Sequence, residues 1–377
     1  MSRFFQAENI IHLLLIFIPV AAVLKYAIHA DAVWIFFASA LAVIPLAGIL
    51  CKATERLADE LGQGLGGFLN ATFGNAPELI ISVMALREGL FDVVKASLTG
   101  AIIGNILLVF GTGALVGGCR HPVLYFNRSA ATTSTTMLAL SAIGMLLPAT
   151  FNYVVRDVTP ALVGQLSLYI SVVLLLTYIL NLVFALKTHR HLYAGIADTS
   201  SPVALVVEKA EEDSVAEEKD WLGKSGTWTA VTVLAASAFF IAWMSEILVG
   251  SVEGAAARMG MNQVFIGVIF VAVIGNAAEH STAIVMAMKN KMDIAVNITV
   301  GSSIQIALFV APVLIILSYF IAPVPMDLRF STLEVIAVII SVAVMSLTSH
   351  DGDINWLEGV QLLAVYLMLA ITLYFLP

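Results

Sequence analysis

Eleven stretches of this chain are apolar for long enough to cross a lipid bilayer, at about 10–28, 31–51, 65–87, 92–118, 130–150, 160–186, 227–251, 262–288, 294–317, 331–348 and 357–376. A spanning helix rises about 1.5 Å per residue and needs about 20 apolar residues to cross the hydrocarbon layer. The runs are continuous and do not alternate, so they read as helices whose backbone groups are satisfied internally, and not as barrel strands. With 60% hydrophobic and 12% charged residues over 377 positions, the chain carries more oil than a soluble core of its size can hide. The expected fold class is therefore all-α, a polytopic membrane protein with about 11 transmembrane helices. The first run follows Met1 with no small-residue cleavage site, and reads as a retained helix, not a removed signal peptide.

Between the sixth and seventh runs lies the one long hydrophilic interruption, residues 187–226, which divides the chain into halves. The expected organisation is an N-terminal transmembrane helix (1–30), a five-helix repeat (31–186), an acidic loop (187–226) and a second five-helix repeat (227–377). An odd number of spans per repeat sends the second copy into the membrane from the opposite side, the ground plan of secondary transporters. Lys and Arg set the orientation. Twelve of the eighteen fall on the side of the N-terminus, here face one, among them Lys52, Arg56, Arg120, Arg128, Lys289 and Lys291. Lys25, Arg87, Lys95, Arg156, Arg258 and Arg329 fall on face two. Five of the twelve lie in the long loop, so the bias is modest; it favours a cytoplasmic N-terminus and loop.

The repeat itself is legible. Residues 74–80, GNAPELI, return 201 positions later as GNAAEHS at 275–281. In the same register Asp92 meets Asp293, Gly100 meets Gly301, and TGAIIGNILLV lies over VGSSIQIALFV. A constant offset with polar residues aligned is a stronger signal than one matching peptide in so biased a composition.

Each copy sets a carboxylate, Glu78 and Glu279, in the middle of an apolar run, where an acid costs about 2.5–3.5 kcal/mol on insertion scales. Such groups face protein or water. Pro77 has no amide to offer the carbonyl of Phe73, and Gly74 and Gly275 permit unwinding or close helix approach. Broken helices at the midplane are where transporters build ion sites. Asn75, Asn276, Asn105, Ser302, Ser303 and Gln305 add amide and hydroxyl oxygens, and no thiolate accompanies them. Hard cations prefer that set, and two carboxylates match the charge of Ca²⁺. A monovalent ion would leave one negative charge uncompensated unless the second acid held a proton. His280 follows Glu279 directly, but helical neighbours point about 100° apart, so the pair reads as a hydrogen-bonding neighbour and not a chelate. Burial and mutual repulsion favour protons on an empty pair of acids, whereas a bound divalent cation favours their charged forms. Ion and protons then compete for one place, which is antiport, with two protons per divalent ion as the limit.

Other features leave alternatives open. Glu55 and Glu246, one helix ahead of each motif, either line access pathways, as does His280 nearer the centre, or are ordinary interfacial charges. Residues 208–220 hold seven acids against two lysines. That loop, with Glu211, Glu212, Asp213, Glu217 and Glu218, either gathers cations in a regulatory role or is a solvated linker. Cys51 and Cys119, both near run ends, suggest buried filler and no disulfide framework. No basic nucleic-acid footprint, metalloprotease motif or nucleophile–base set is present, so neither an enzyme nor a cofactor is expected.

GNAPELI and GNAAEHSTAIVMAMKNKMDIAVNITVGSSIQIALFVAP resemble the two signature regions of the Ca²⁺/H⁺ antiporter (CAX) family, within the superfamily of Ca²⁺/cation exchangers. The resemblance covers about 31–377. It implies eleven spans, inverted five-helix repeats and alternating access, with Ca²⁺ and H⁺ as the substrates. Glu78 and Glu279 match the family's essential carboxylates, Asn105, Ser302, Ser303 and Gln305 its polar cation path, and 208–220 its acidic segment. Without the long N-terminal extension of plant vacuolar members, a prokaryotic-type plasma-membrane protein is expected, the bilayer being its partner and a homo-oligomer compatible with it. The alternative is an Na⁺, K⁺ or other divalent cation/H⁺ antiporter on the same fold.

Overall fold

The computed structural model describes residues 13–155, 159–189 and 227–376. The acidic residues Glu211, Glu212, Asp213, Glu217 and Glu218 lie outside them. The described chain is almost wholly helical: α1 (Leu14–Ile28), α2 (Ala32–Phe73), α3 (Ala76–Arg87), α4 (Phe91–Gly118), α5 (Arg128–Val154) and α6 (Pro160–Thr188) in the first half. The second half holds α7 (Thr227–Met259), α8 (Gln263–Gly275), α9 (Ala277–Met288), α10 (Met292–Ile321), α11 (Thr332–Thr348) and α12 (Trp356–Tyr374). Within the described residues helix overlaps each of the eleven expected stretches, two of which are broken, at Asn75 and Asn276. Among the described residues, seven helices are long and apolar enough to cross a membrane by themselves, or eight if the bent pair α8–α9 counts as one span.

One boundary differs from expectation. Helical backbone extends from Ala32 to Phe73, through the expected loop at 52–64. Yet Cys51 Sγ lies 4.0 Å from the carbonyl oxygen of Gly74, 23 residues on, where a straight helix would hold them about 34 Å apart. A β-carbon added at Gly66 would lie 2.1 Å from the carbonyl oxygen of Ala58. The chain therefore reverses between Ala58 and Gly66, and the two expected spans are the arms of one helical hairpin. Gly66 is there because only hydrogen fits between the arms.

The loop contacts join segments that the expected order of spans places on one face. On face one the backbone amide of Asn127 donates to Asp293, and Leu124–Tyr125 (β1) pairs antiparallel with Asp353–Ile354 (β2). On face two Arg258 meets Asp31 at 3.2 Å and Lys95 meets Asp327 at 2.6 Å. α5 and α11 open with equivalent caps: Asn127 accepts from the amide of Ala130, and Ser331 forms a capping box with Glu334.

Packing places α4 at the centre. Its most apolar 18-residue window is 89% buried, against 22% for α6, which turns Leu176 and Leu180 outward. A protein whose solvent is lipid has no reason to hide such residues, so burial here sorts helices by position and not by polarity. The two halves interlock: α2 packs along α7, and α3 packs against α7 and the end of α10. α9 packs on the last turns of α4, where Gly113 and Gly117 meet Ala287.

Candidate cation site

Both repeats break at the same residue. Asn75 (φ −98°, ψ 27°) and Asn276 (φ −95°, ψ 7°) leave the helical region, and α3 and α9 restart immediately after them. α8 and α9 bend by 68° across this break. Glu78 and Glu279 then occupy the first turns of α3 and α9, where free amides and the helix dipole favour negative charge. α4 and α10 each carry a π-helical turn, Gly104–Val109 and Ile306–Val310, beside Asn105 and Gln305. Such turns gather at functional sites because they redirect side chains.

The two carboxylates act on each other electrostatically. Glu78 is buried, with Oε1 packed on Gly275, where a β-carbon would come within 3.2 Å. That close approach is what a glycine at 275 allows. Glu279 is only half-buried and lines a cleft of about 130 Å³ with Glu55, Asn70, Thr282, Asn297, Ser302 and Gln305, all toward face one. Glu78 instead lines a cavity of about 10 Å³ with Ile81, Ser97, Leu98, Ala101 and Val271, toward face two. In the 201-residue register Ile81 corresponds to Thr282, Ala101 to Ser302 and Val271 to Asn70. The cavities are counterparts, the face-one cleft the larger and richer in polar side chains, the face-two cavity narrow and lined mainly by apolar ones, with Ser82 and Ser97 beside Glu78.

The same asymmetry appears between helices. A β-carbon at Gly100 in α4 would lie 2.2 Å from the carbonyl oxygen of Val268 in α8, and one at Gly267 would lie 2.6 Å from Ala96 Cβ. At Gly301, the counterpart of Gly100, nothing lies within 4 Å among the described residues. The interface at Gly100 is sealed backbone to backbone, whereas at Gly301 no described residue approaches so closely.

Buried polar atoms without a hydrogen-bond partner include Glu78 Oε2, Glu279 Oε2 and Asn276 Oδ1. Buried oxygens left unpaired cost free energy unless a ligand takes them, and three of one chemistry point to a hard cation. Among the described residues no group of three or more His, Cys, Asp or Glu side chains could hold a metal. The donors here are two carboxylates with amides and hydroxyls.

The remaining expected residues fall into different places. Asn75 is clamped, its amide nitrogen donating to Gln305 Oε1 and its oxygen accepting from Ser302 Oγ at 2.9 Å. Asn276 Nδ2 donates to the carbonyl of Ala272 at 2.9 Å and leaves its oxygen free. The clamp has no second copy because Ser302 and Gln305 stand opposite Ala101 and Gly104. Asn105 Oδ1 pairs with His280 Nε2 at 2.9 Å, as a hydrogen-bonding role for His280 requires. Ser303 spends its hydroxyl on the carbonyl of Thr299 at 2.8 Å and lines neither cavity. Glu55 lines the open cleft; Glu246 is exposed on α7. Cys119 is exposed at the end of α4 and is not buried filler, and Cys51 is half-buried in the cleft wall. Asn70, Thr282 and Asn297 were not expected in the site. Their counterparts are Val271, Ile81 and Ala96, so the repeat cannot find them; their polarity within apolar runs is the signal that could.

Apolar helices of bilayer length, broken around two facing carboxylates, define an integral-membrane cation-transport protein. The sodium/calcium exchanger protein family profile matches residues 31–187 and 229–375. A Ca²⁺/H⁺ antiporter of Synechocystis sp. is 41% identical over 374 residues, 98% of each chain. The Ca²⁺/H⁺ antiporter ChaA of Bacillus subtilis is 42% identical over 349 residues, 92% of this chain and 94% of its own. The structure of native YfkE superposes with a TM-score of 0.80 at 38% identity, covering 97% of this chain and all of that one. An H⁺/Ca²⁺ exchanger CAX shares the fold, with a TM-score of 0.67 at 16% identity over 98% of this chain and 93% of that one. The chain belongs to the sodium/calcium exchanger protein family, and the resemblance carried by its two signature segments holds.

Proposed function

We propose that this protein exchanges Ca²⁺ for protons across a membrane, with Glu78 and Glu279 holding either the ion or protons. The observation that carries the reading is the convergence of two half-helix carboxylates, each with an unpartnered buried oxygen, beside the free oxygen of Asn276. The names of the bacterial relatives support the choice of Ca²⁺ and H⁺. Two bare carboxylates in oil are too costly to move between faces, so the site travels loaded with a divalent ion or with protons. Two protons per Ca²⁺ is the limiting stoichiometry.

Alternating access follows from the repeat. The present arrangement opens Glu279 toward face one and seals Glu78 from face two. Exchanging the roles of the sealed Gly100–Val268 interface and the open one at Gly301 produces the opposite state from the same parts. Asn276 supplies an amide oxygen to the ion, while Ser302 and Gln305 hold Asn75 in place around the broken helix. Glu55 and Asn297 line the route to face one, which we assign to the cytoplasm of a bacterial-type plasma membrane.

The reading is tested in vesicles carrying an imposed pH difference. Uptake of Ca²⁺ should follow the proton gradient and vanish in Glu78→Gln and Glu279→Gln. Uptake driven by Na⁺ or K⁺ alone, or Ca²⁺ uptake surviving in both variants, would overturn it.

A further inference from the structure

We propose that Lys95 is the clasp that closes the face-two path to Glu78, holding down a strap formed by residues 322–331. The strap joins α10 to α11 without helix or strand and buries Met326, Leu328 and Phe330, with Asp327 and Arg329 alternating between them. Its backbone is pinned from one side: the amide of Met326 donates to Ser318 Oγ at 2.9 Å and that of Leu328 to Ser167 Oγ at 3.0 Å. From the other side it crosses the turn between α3 and α4, where Pro323 faces Gly89, a glycine required by its φ of +76°. Lys95, in the first turns of α4, then reaches across. Its ammonium donates to Asp327 Oδ1 at 2.6 Å and to the carbonyl of Arg329 at 3.0 Å.

This pair is not an ordinary surface ion pair. The Lys95 side chain is 11% exposed and that of Asp327 22%, so water screens it weakly, and two acceptors on one donor fix its geometry. Arg329 also approaches Asp327, at 3.8 Å, but it belongs to the strap and ties it to nothing else. Lys95 alone links Asp327 to α4. Glu334 also lies within electrostatic reach of Lys95 and Asp92, so removing the lysine takes away the cation that these acids surround and that bonds α4 to the strap.

Position makes the clasp functional. Ser97, Leu98 and Ala101, directly beyond Lys95 on α4, line the 10 Å³ cavity of Glu78. That cavity is far smaller than the face-one cleft, so a path from face two wide enough for a hydrated ion requires α4 to part from α8 and from the strap. That motion cannot occur while Lys95 holds Asp327. The proposal rests on the exchange reading, and the test separates the two, because labelling reports closure without transport.

In a background with Cys51→Ser and Cys119→Ser, Ser97→Cys places a thiol in the sealed cavity, and a membrane-impermeant maleimide is applied from face two. Lys95→Met and, as a sterically milder variant, Asp327→Asn should each raise the labelling rate about tenfold, the factor carried by a hydrogen bond to a charged group. Lys95→Arg, which keeps a cation able to donate to both acceptors, should label at the starting rate. The apparent KM for Ca²⁺ presented at face two should fall in the two single variants, because the state open to that face is more populated. Unchanged labelling in both folded single variants would overturn the proposal. So would a Lys95→Arg variant that labels as fast as they do.

Discussion

The sealed and open halves of the structure make a sharp prediction for Gly301→Ala. Here a β-carbon at Gly301 meets nothing within 4 Å among the described residues, so the variant is expected to fit the present state. In the opposite state Gly301 takes the place that Gly100 has now, where a β-carbon would sit 2.2 Å from a backbone carbonyl oxygen. Carbon–oxygen contacts lie at about 3.3 Å or more, so the overlap is about 1 Å, and the obstacle is backbone that cannot swing away. Overpacking of this kind costs about 1–3 kcal/mol. That lowers the population of the state open to face two by about 5- to 150-fold. Exchange needs both states, so ΔpH-driven Ca²⁺ uptake should fall by a comparable factor. The melting temperature should hold or rise, since alanine gains about 1 kcal/mol over glycine inside a helix. Thiol labelling of Asn297→Cys from face one should persist. Wild-type turnover in folded Gly301→Ala would refute the interchange of the two interfaces.

Three further outcomes follow from the site. Asn276→Ala should raise the Ca²⁺ KM about tenfold with little change in melting temperature. Asn75→Ala should instead destabilise the protein by about 1–3 kcal/mol, because it strands Ser302 and Gln305; equal effects of the two variants on KM and melting would remove the distinction. Gly275→Ala, which sets a carbon 3.2 Å from Glu78 Oε1, should weaken Ca²⁺ binding measured calorimetrically while leaving the helical circular dichroism signal intact. Because ion and protons compete, the apparent Ca²⁺ affinity on the loading face should rise with pH, by about ten- to hundredfold per unit while the empty site is protonated. An affinity that falls as pH rises, read from uptake at graded pH, would have the wrong sign for competition.

Much of this was legible in the sequence because membrane insertion leaves few options. Runs of bilayer length mark helices, and a carboxylate inside one must face protein, so Glu78 and Glu279 announced the site before any coordinates. The paired Gly–Asn breaks followed from the constant 201-residue register. What stayed hidden depends on relations that a repeat does not encode. The hairpin in α2 is held by backbone contact at Gly66, and hydropathy sees only a weaker stretch between two runs. Asn70, Thr282 and Asn297 have apolar counterparts, so symmetry argued against them. Lys95 and Asp327 lie 232 residues apart, and the partner sits on a strap with no periodic signal. The clamp on Asn75 and the freedom of Asn276 arise from Ser302 and Gln305, which occur in one half only.

Titration calorimetry of Ca²⁺ into the purified protein, repeated in buffers of different ionisation heat, counts the protons released as the ion binds. The account predicts release approaching two per Ca²⁺ at a pH where the empty site is protonated, and none in the Glu78→Gln/Glu279→Gln double variant. Tight Ca²⁺ binding by the wild type with no proton release would contradict it.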